Sequence, residues 1–186
     1  MKNGVVMETE RLRLRAWRDG DDALLKLHTD TLSFKRWLED DDMAPRRPGS
    51  TTERQQRMQV QEGFCFWVVE RREDDAFLGY CGLKRVDAQG THLTGEFEIG
   101  WGLREDSWGF GYAREAASAS LDRAFDIHNA ECVYAFTVTG NLASWGLMER
   151  LGMMRRHDLD YHDPAFSDAL NPTIVYRISR TEWQAR

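Results

Sequence analysis

A chain of 186 residues, 41% hydrophobic and 30% charged, is long enough to bury a substantial core without disulfide staples, and it reads as a single domain over 1–186 with its core at about 9–183. A formal net charge of −6 argues against nucleic acid as a partner, which needs a basic footprint, and favours a cationic substrate only slightly. No apolar run nears the roughly 18 residues of a membrane helix and no signal-peptide pattern opens the chain, while Cys65, Cys81 and Cys132 are odd in number and lack metal-site spacing; the expectation is a cytoplasmic protein with reduced cysteines, no metal and no membrane partner.

Residues 11–15 alternate polar and apolar, as a half-buried strand does. Asp21 or Asp22 is placed to cap a short helix carrying Ala23, Leu24, Leu25 and Leu27. Residues 31–37 read as helical, the acidic run Glu39-Asp40-Asp41-Asp42 as a solvated loop that could also attract a cationic acceptor, and Pro45 and Pro48 as loop markers. Ser50 with Glu53 forms a capping box that opens a polar helix to about Gln61. Two apolar runs, 64–70 and 76–84, flank a charged turn and predict an antiparallel hairpin, and 87–94 is a loop.

Residues 96–101 alternate again and lead into Trp108-Gly109-Phe110-Gly111-Tyr112-Ala113-Arg114-Glu115-Ala116. Strand, glycine turn, helix start is an order that aims free backbone N–H groups at a phosphate, because glycine tolerates φ > 0 and a helix N-terminus carries partial positive charge. A plain strand-to-helix turn also favours glycine. A dinucleotide fingerprint fits poorly, since Arg114 stands where its third glycine belongs, and no Walker Gly-Lys-Ser/Thr is present. Beyond the loop, Ala113, Ala116, Ala117, Leu121, Ala124 and Phe125 mark one buried helical face. Asn129 ends that helix and 132–138 is β-rich. Asn141 opens a helix that finishes at Leu151-Gly152, and 174–178 is the last strong strand.

These pieces, in this order, resemble the GCN5-related N-acetyltransferases (GNAT), and within them the branch similar to the Rim-type ribosomal-protein alanine N-acetyltransferases. The likeness rests on Glu10-Arg11-Leu12-Arg13-Leu14-Arg15, on Glu98-Ile99-Gly100-Trp101 with the glycine loop, on Asn141-Leu142-Ala143-Ser144 followed by Leu151-Gly152-Met153, and on Val175-Tyr176-Arg177-Ile178. Trp108 replaces the family's usual Gln or Arg at the start of the loop. Tyr161-His162-Asp163-Pro164 stands where relatives often carry an acidic-aromatic-His-Pro run. The resemblance implies an α+β (mixed α/β) fold, with a mostly antiparallel, centrally splayed sheet of about six or seven strands flanked by about four helices. It implies acetyl transfer from acetyl-CoA, as acyl-donor co-substrate, to a primary amine by direct attack in a ternary complex. The amine is a protein N-terminus, a polyamine or another small amine.

The same resemblance places the pyrophosphate on the loop formed by Trp108, Gly109, Phe110, Gly111, Tyr112 and Ala113. The pantetheine arm lies in a gap between strands 96–101 and 132–138, with Trp101 and Leu103 offering backbone groups. Asn141 meets the arm's amides, and Ser144 and Leu147 line the same side. Asn141 also fits a plain N-cap, and Gly100 fits a bulge or a close approach. Glu98 is the candidate base and Ser144 the candidate acid, with Glu96 a second choice for base. Glu98 equally fits an exposed strand carboxylate or one paired with an arginine, and Ser144 a helix-surface serine. His28, His92, His128 and His157 are scattered, whereas His162, beside Asp163, could sit by the acceptor pocket. A CoA-binding regulatory module without transfer is the alternative from another class, and the sequence leaves a homodimer open.

Overall fold

The computed structural model describes residues 4–37 and 49–186, so the acidic run at 39–42 and the prolines at 45 and 48 lie outside the described residues. The strands are β1 (Val5–Glu8), β2 (Leu12–Arg15), β3 (Phe66–Arg71), β4 (Phe77–Arg85), β5 (Phe97–Leu103), β6 (Cys132–Val138), β7 (Met154–Arg155) and β8 (Thr173–Ser179). They form one eight-stranded sheet in the order β1-β2-β3-β4-β5-β6-β8-β7. Every pair is antiparallel except β5 with β6. The strands that carry the count past six or seven are short edges: β1 reads Val-Val-Met-Glu without period-two alternation, and β7 has two residues.

The helices are α1 (Asp21–Thr29), α2 (Leu32–Lys35), α3 (Thr51–Glu62), α4 (Tyr112–Asp126), α5 (Leu142–Arg150) and α6 (Arg180–Gln184). Among the described residues none is long and apolar enough to cross a membrane. The capping box of α3 forms as the sequence predicts, with Ser50 and Glu53 each accepting from the other's backbone N–H. A second box, Ser179 with Glu182, opens the short α6; the same spacing was present in the sequence and would have found it. α4 is the crossover that lets β5 and β6 run parallel. Its face at Ala116, Ala117, Leu121, Ala124 and Phe125 is fully buried, and the small alanines bring the helix close to the sheet. Ser120 joins this buried face because its hydroxyl donates to Ala116 O at 2.9 Å within the same helix. Asn129 takes φ of 53°, the left-handed turn that redirects the chain toward β6.

The start of α1 departs from expectation. Gly20, at φ 94°, occupies the cap, and no side chain caps the helix. Asp21 turns inward instead, accepting from both terminal nitrogens of Arg15 at 2.7 and 2.9 Å and from the Arg18 N–H at 2.6 Å. Arg15 also donates from Nε to Glu70 at 2.5 Å. Arg15, Asp21 and Glu70 are all buried. A buried guanidinium must be paired, and that requirement outweighs a helix cap worth about 1 kcal/mol. Asp22 faces α3 and accepts the Thr52 N–H at 3.2 Å.

Replacing Arg15 with Met would leave two carboxylates buried without their cation. We expect a loss of about 3–5 kcal/mol in urea unfolding. A loss under about 1 kcal/mol would show that this ion cluster is not what ties β2 to β3 and α1.

Candidate active site

The glycine loop is built by backbone conformation. Gly109 and Gly111 both sit at φ 82°, and a Cβ placed on Gly109 would meet nothing within 4 Å. Conformation, not crowding, therefore demands glycine at 109. Gly111 is the cap residue of α4 and supplies no side chain to its first turn. The N–H groups of Gly109, Phe110, Gly111, Tyr112, Ala113 and Arg114 consequently have no hydrogen-bond acceptor among the described residues. They sit at the positive end of a 15-residue helix.

Arg11, from the turn between β1 and β2, fixes this loop. Its guanidinium donates to Phe110 O at 2.9 Å and to Glu115 at 2.7 Å, and lies 4.8 Å from the Tyr112 ring centroid. Glu115 also accepts the Arg11 N–H at 2.9 Å and the Thr9 hydroxyl. Burial raises the Glu115 carboxyl, but the bonds from Thr9 and Arg11 outweigh it and hold the group below the usual carboxylate range. An acid in the first turn of α4 is thus ionised yet neutralised by its partner, which leaves the loop fit for an anion.

Next to the loop the sheet opens. β5 and β6 pair only at Phe97 with Val133 and Glu98 with Tyr134, and from Ile99 to Leu103 no β6 residue faces β5. The ladder to β4 is regular throughout. It is anchored by Val86 N–H to Glu96 O at 2.9 Å at one end and Arg104 N–H to Leu78 O at 2.8 Å at the other. Antiparallel strands alternate the direction of their backbone groups, so Trp101 and Leu103 turn theirs toward the opening. The Leu103 carbonyl accepts from Trp108 Nε1 at 2.7 Å, which ties the loop's tryptophan to the strand edge. Gly100 and Gly102 leave room for aromatic rings: a Cβ would stand 2.8 Å from Phe66 at Gly100 and 2.7 Å from Tyr80 at Gly102. Gly100 therefore answers to close approach, and the β4–β5 register shows no bulge there.

A cavity of about 710 Å³ occupies this opening. Glu98, Trp101, Asn141 and Ser144 line it. Asn141 caps α5, accepting the Ser144 N–H at 3.2 Å. Ser144 is half-buried in the first turn, and its hydroxyl makes no protein hydrogen bond among the described residues. Glu98 is 15% exposed and pairs with Lys84 Nζ at 3.2 Å across the β4–β5 ladder; Lys84 also reaches Asp87 at 2.5 Å. The partner is a lysine, where the sequence suggested an arginine. Cys65 and Cys81 are buried, and burial pushes both thiols up to about 12, so neither is a nucleophile at neutral pH. Among the described residues no cluster of His, Cys, Asp or Glu could hold a metal.

Leu103 is buried and, like residues 108–113, is not part of the cavity lining; three further expected residues also lie off it or turn away. Glu96 is exposed and does not line the cavity, although the regular register from Glu96 to Glu98 keeps the two on one face. Leu147 is buried in the core, and Met148 lines the cavity in its place. Four residues on a helix bring a side chain nearer the starting direction than three do, so Met148 follows Ser144. His162 points to solvent, while Asp163 is buried and faces the cavity. Asp163 was missed as a site residue because strand-like neighbours alternate, and nothing local says which of the two turns in.

Comparison with known proteins fits this geometry. The family model described as an Acetyltransferase (GNAT) domain matches residues 11–154. The protein YkkB of Bacillus subtilis is 34% identical over 149 residues, 78% of this chain and 83% of the relative. An acetyltransferase from Agrobacterium tumefaciens superposes with a TM-score of 0.71 at 23% identity, covering 94% of each chain. A spermidine N-acetyltransferase SpeG chimera, from Vibrio cholerae and hSSAT, gives 0.69 at 18% identity over 94% of this chain and 99% of its own.

The loop and the helix beyond it make opposite predictions for the same substitution. Gly111→Ala should destabilise by about 1–2 kcal/mol, the cost of a left-handed alanine. Gly146→Ala in the interior of α5, where the nearest atom is the flexible end of Arg150 at 3.4 Å, should stabilise by up to about 1 kcal/mol. Equal effects in thermal unfolding would contradict the conformational account of the loop.

Proposed function

The chain belongs to the GNAT family of acetyltransferases, and on that premise we propose that it moves an acetyl group from acetyl-CoA to a primary amine by direct attack within a ternary complex. GNAT domains use acetyl-CoA as co-substrate. The reading is supported by a row of unpartnered amides, 109–114, on the loop tied to the end of β5, together with a sheet opening lined by Glu98 and Ser144. The residues present fit such a donor. Its diphosphate finds several N–H groups at a helix N-terminus with Arg11 alongside. Its amide-bearing arm finds the strand-free β5 edge at Trp101 and at the Leu103 N–H, as an added strand would. Asn141 lies on the cavity wall opposite that edge.

In this reading the amine nitrogen forms a bond to the acetyl carbonyl carbon and the carbon–sulfur bond breaks. Glu98 takes the amine's proton and releases it to solvent, while Ser144 donates a proton to the departing sulfur and regains one from solvent. A β5 backbone N–H facing the opening polarises the carbonyl. Lys84 keeps Glu98 directed at the cavity. Holding both substrates together supplies the largest share of the acceleration, up to roughly 7–11 kcal/mol in favourable cases. No acyl-enzyme is needed, and the buried thiols at Cys65 and Cys81 offer none.

Initial rates over a grid of acetyl-CoA and amine concentrations should give intersecting double-reciprocal lines; parallel lines would indicate a covalent intermediate and contradict direct attack. Glu98→Gln should lower kcat by about 10²–10⁴, and Ser144→Ala by about 10². The KM for acetyl-CoA should move little in either variant. Unchanged kcat in both would remove these residues from the chemistry.

A further inference from the structure

We propose that Asp163 is the seat for a second positive charge on the acceptor, so that the preferred substrates are diamines and other amines carrying two cationic groups. This rests on the amine-acetylation reading of the same cavity.

Asp163 is 4% exposed, yet it lines the cavity. Its Oδ1 accepts the Ala165 N–H at 2.9 Å, while Oδ2 has no hydrogen-bond donor and the group no ion-pair partner among the described residues. Oδ2 is open to the cavity, and a cation can reach the carboxylate from that side. The backbone cannot swing the group away. Asn171 accepts the Asp163 N–H at 2.8 Å and donates to the carbonyls of Asp163, Phe166 and Ser167, each at 3.1 Å. Tyr161 is held on the sheet edge by two backbone bonds with Thr173, at 2.9 and 3.2 Å.

The charge around the cavity points the same way. Its ionisable lining comprises the carboxylates of Asp87, Glu98 and Asp163, the ammonium of Lys84 and the phenols of Tyr80 and Tyr161. Lys84 is engaged with Asp87 and Glu98. Among the described residues the lining holds three acids and one base, and Asp163 is the acid that Lys84 does not engage. Burial chiefly, and then the charges of Asp163, Glu98 and Asp87, push the Tyr161 phenol upward, so the carboxylates act on one shared region. Aromatic walls complete the seat: Phe136 meets Tyr161 edge-on at 6.0 Å, and Phe166 lies on the Asn171-pinned loop. Such rings accept both an alkyl spacer and an ammonium. The reacting amine would then sit toward Glu98 and Ser144, with its second charge at Asp163.

The test compares a diaminobutane with butylamine as acceptors for the full chain and for Asp163→Asn, which keeps an oxygen for the Ala165 N–H and removes only the charge. The wild type should prefer the diamine in kcat/KM by at least about tenfold. The variant should lose roughly tenfold to a hundredfold of that preference. Calorimetry of the CoA-saturated protein should show diamine binding that weakens in the variant. Equal kcat/KM for the two amines in the wild type overturns the seat whether or not the variant folds. Equal losses on both amines in the variant overturn it too, and leave acetyl transfer standing. Diamine binding that depends on Asp163 without any turnover keeps the seat and overturns the transferase reading; absence of diamine binding to the wild type overturns the seat.

Discussion

Backbone hydrogen bonding is the constraint on which the site depends. A sheet interior pairs its N–H and C=O groups with neighbouring strands, and a chain that leaves some unpaired must direct them to solvent or to a ligand. Here β5 is fully paired to β4 on one edge and abandoned by β6 beyond Glu98 on the other. The parallel direction of β5 and β6, imposed by the α4 crossover, allows the two strands to meet at one end and part at the other. The parting leaves strand backbone unpaired on β5, and the Trp108–Leu103 bond ties that edge to the loop that opens α4.

Side chains then hold this arrangement open. Arg11 couples the β1–β2 turn to the loop and to Glu115, and Trp108 couples the loop to Leu103. Phe66 and Tyr80, stacked 5.8 Å apart, pack over Gly100 and Gly102. On the far wall Asn141 sets the start of α5 so that Ser144 reaches the cavity, and Asn171 sets the loop that carries Asp163. Arg11, Trp108, Asn141 and Asn171 each satisfy backbone groups first and shape the cavity as a consequence.

Features with a local cause were legible in the sequence. The glycine loop, the α4 face and the Ser50–Glu53 box each follow from conformational freedom, a single period or a fixed spacing, and the structure has them where those rules put them. The eight-stranded mixed sheet agrees with the GNAT fold that the motifs implied, apart from edge strands too short to carry a period. What stayed hidden depends on partners distant in sequence. Asp21 faces inward because Arg15 is buried beside it, and the choice of Asp163 over His162 is made by Asn171 and the loop it pins.

In this reading the free amides at 109–114 and the open β5 edge receive the donor together. Amide-resolved NMR during titration with CoA checks this. The N–H resonances of 109–114, Trp101 and Leu103 should shift as one saturating set, with the β1–β4 interior unmoved. Saturable binding that leaves those resonances in place, or that moves the arginine-lined surface of β2 and β3 instead, would contradict it.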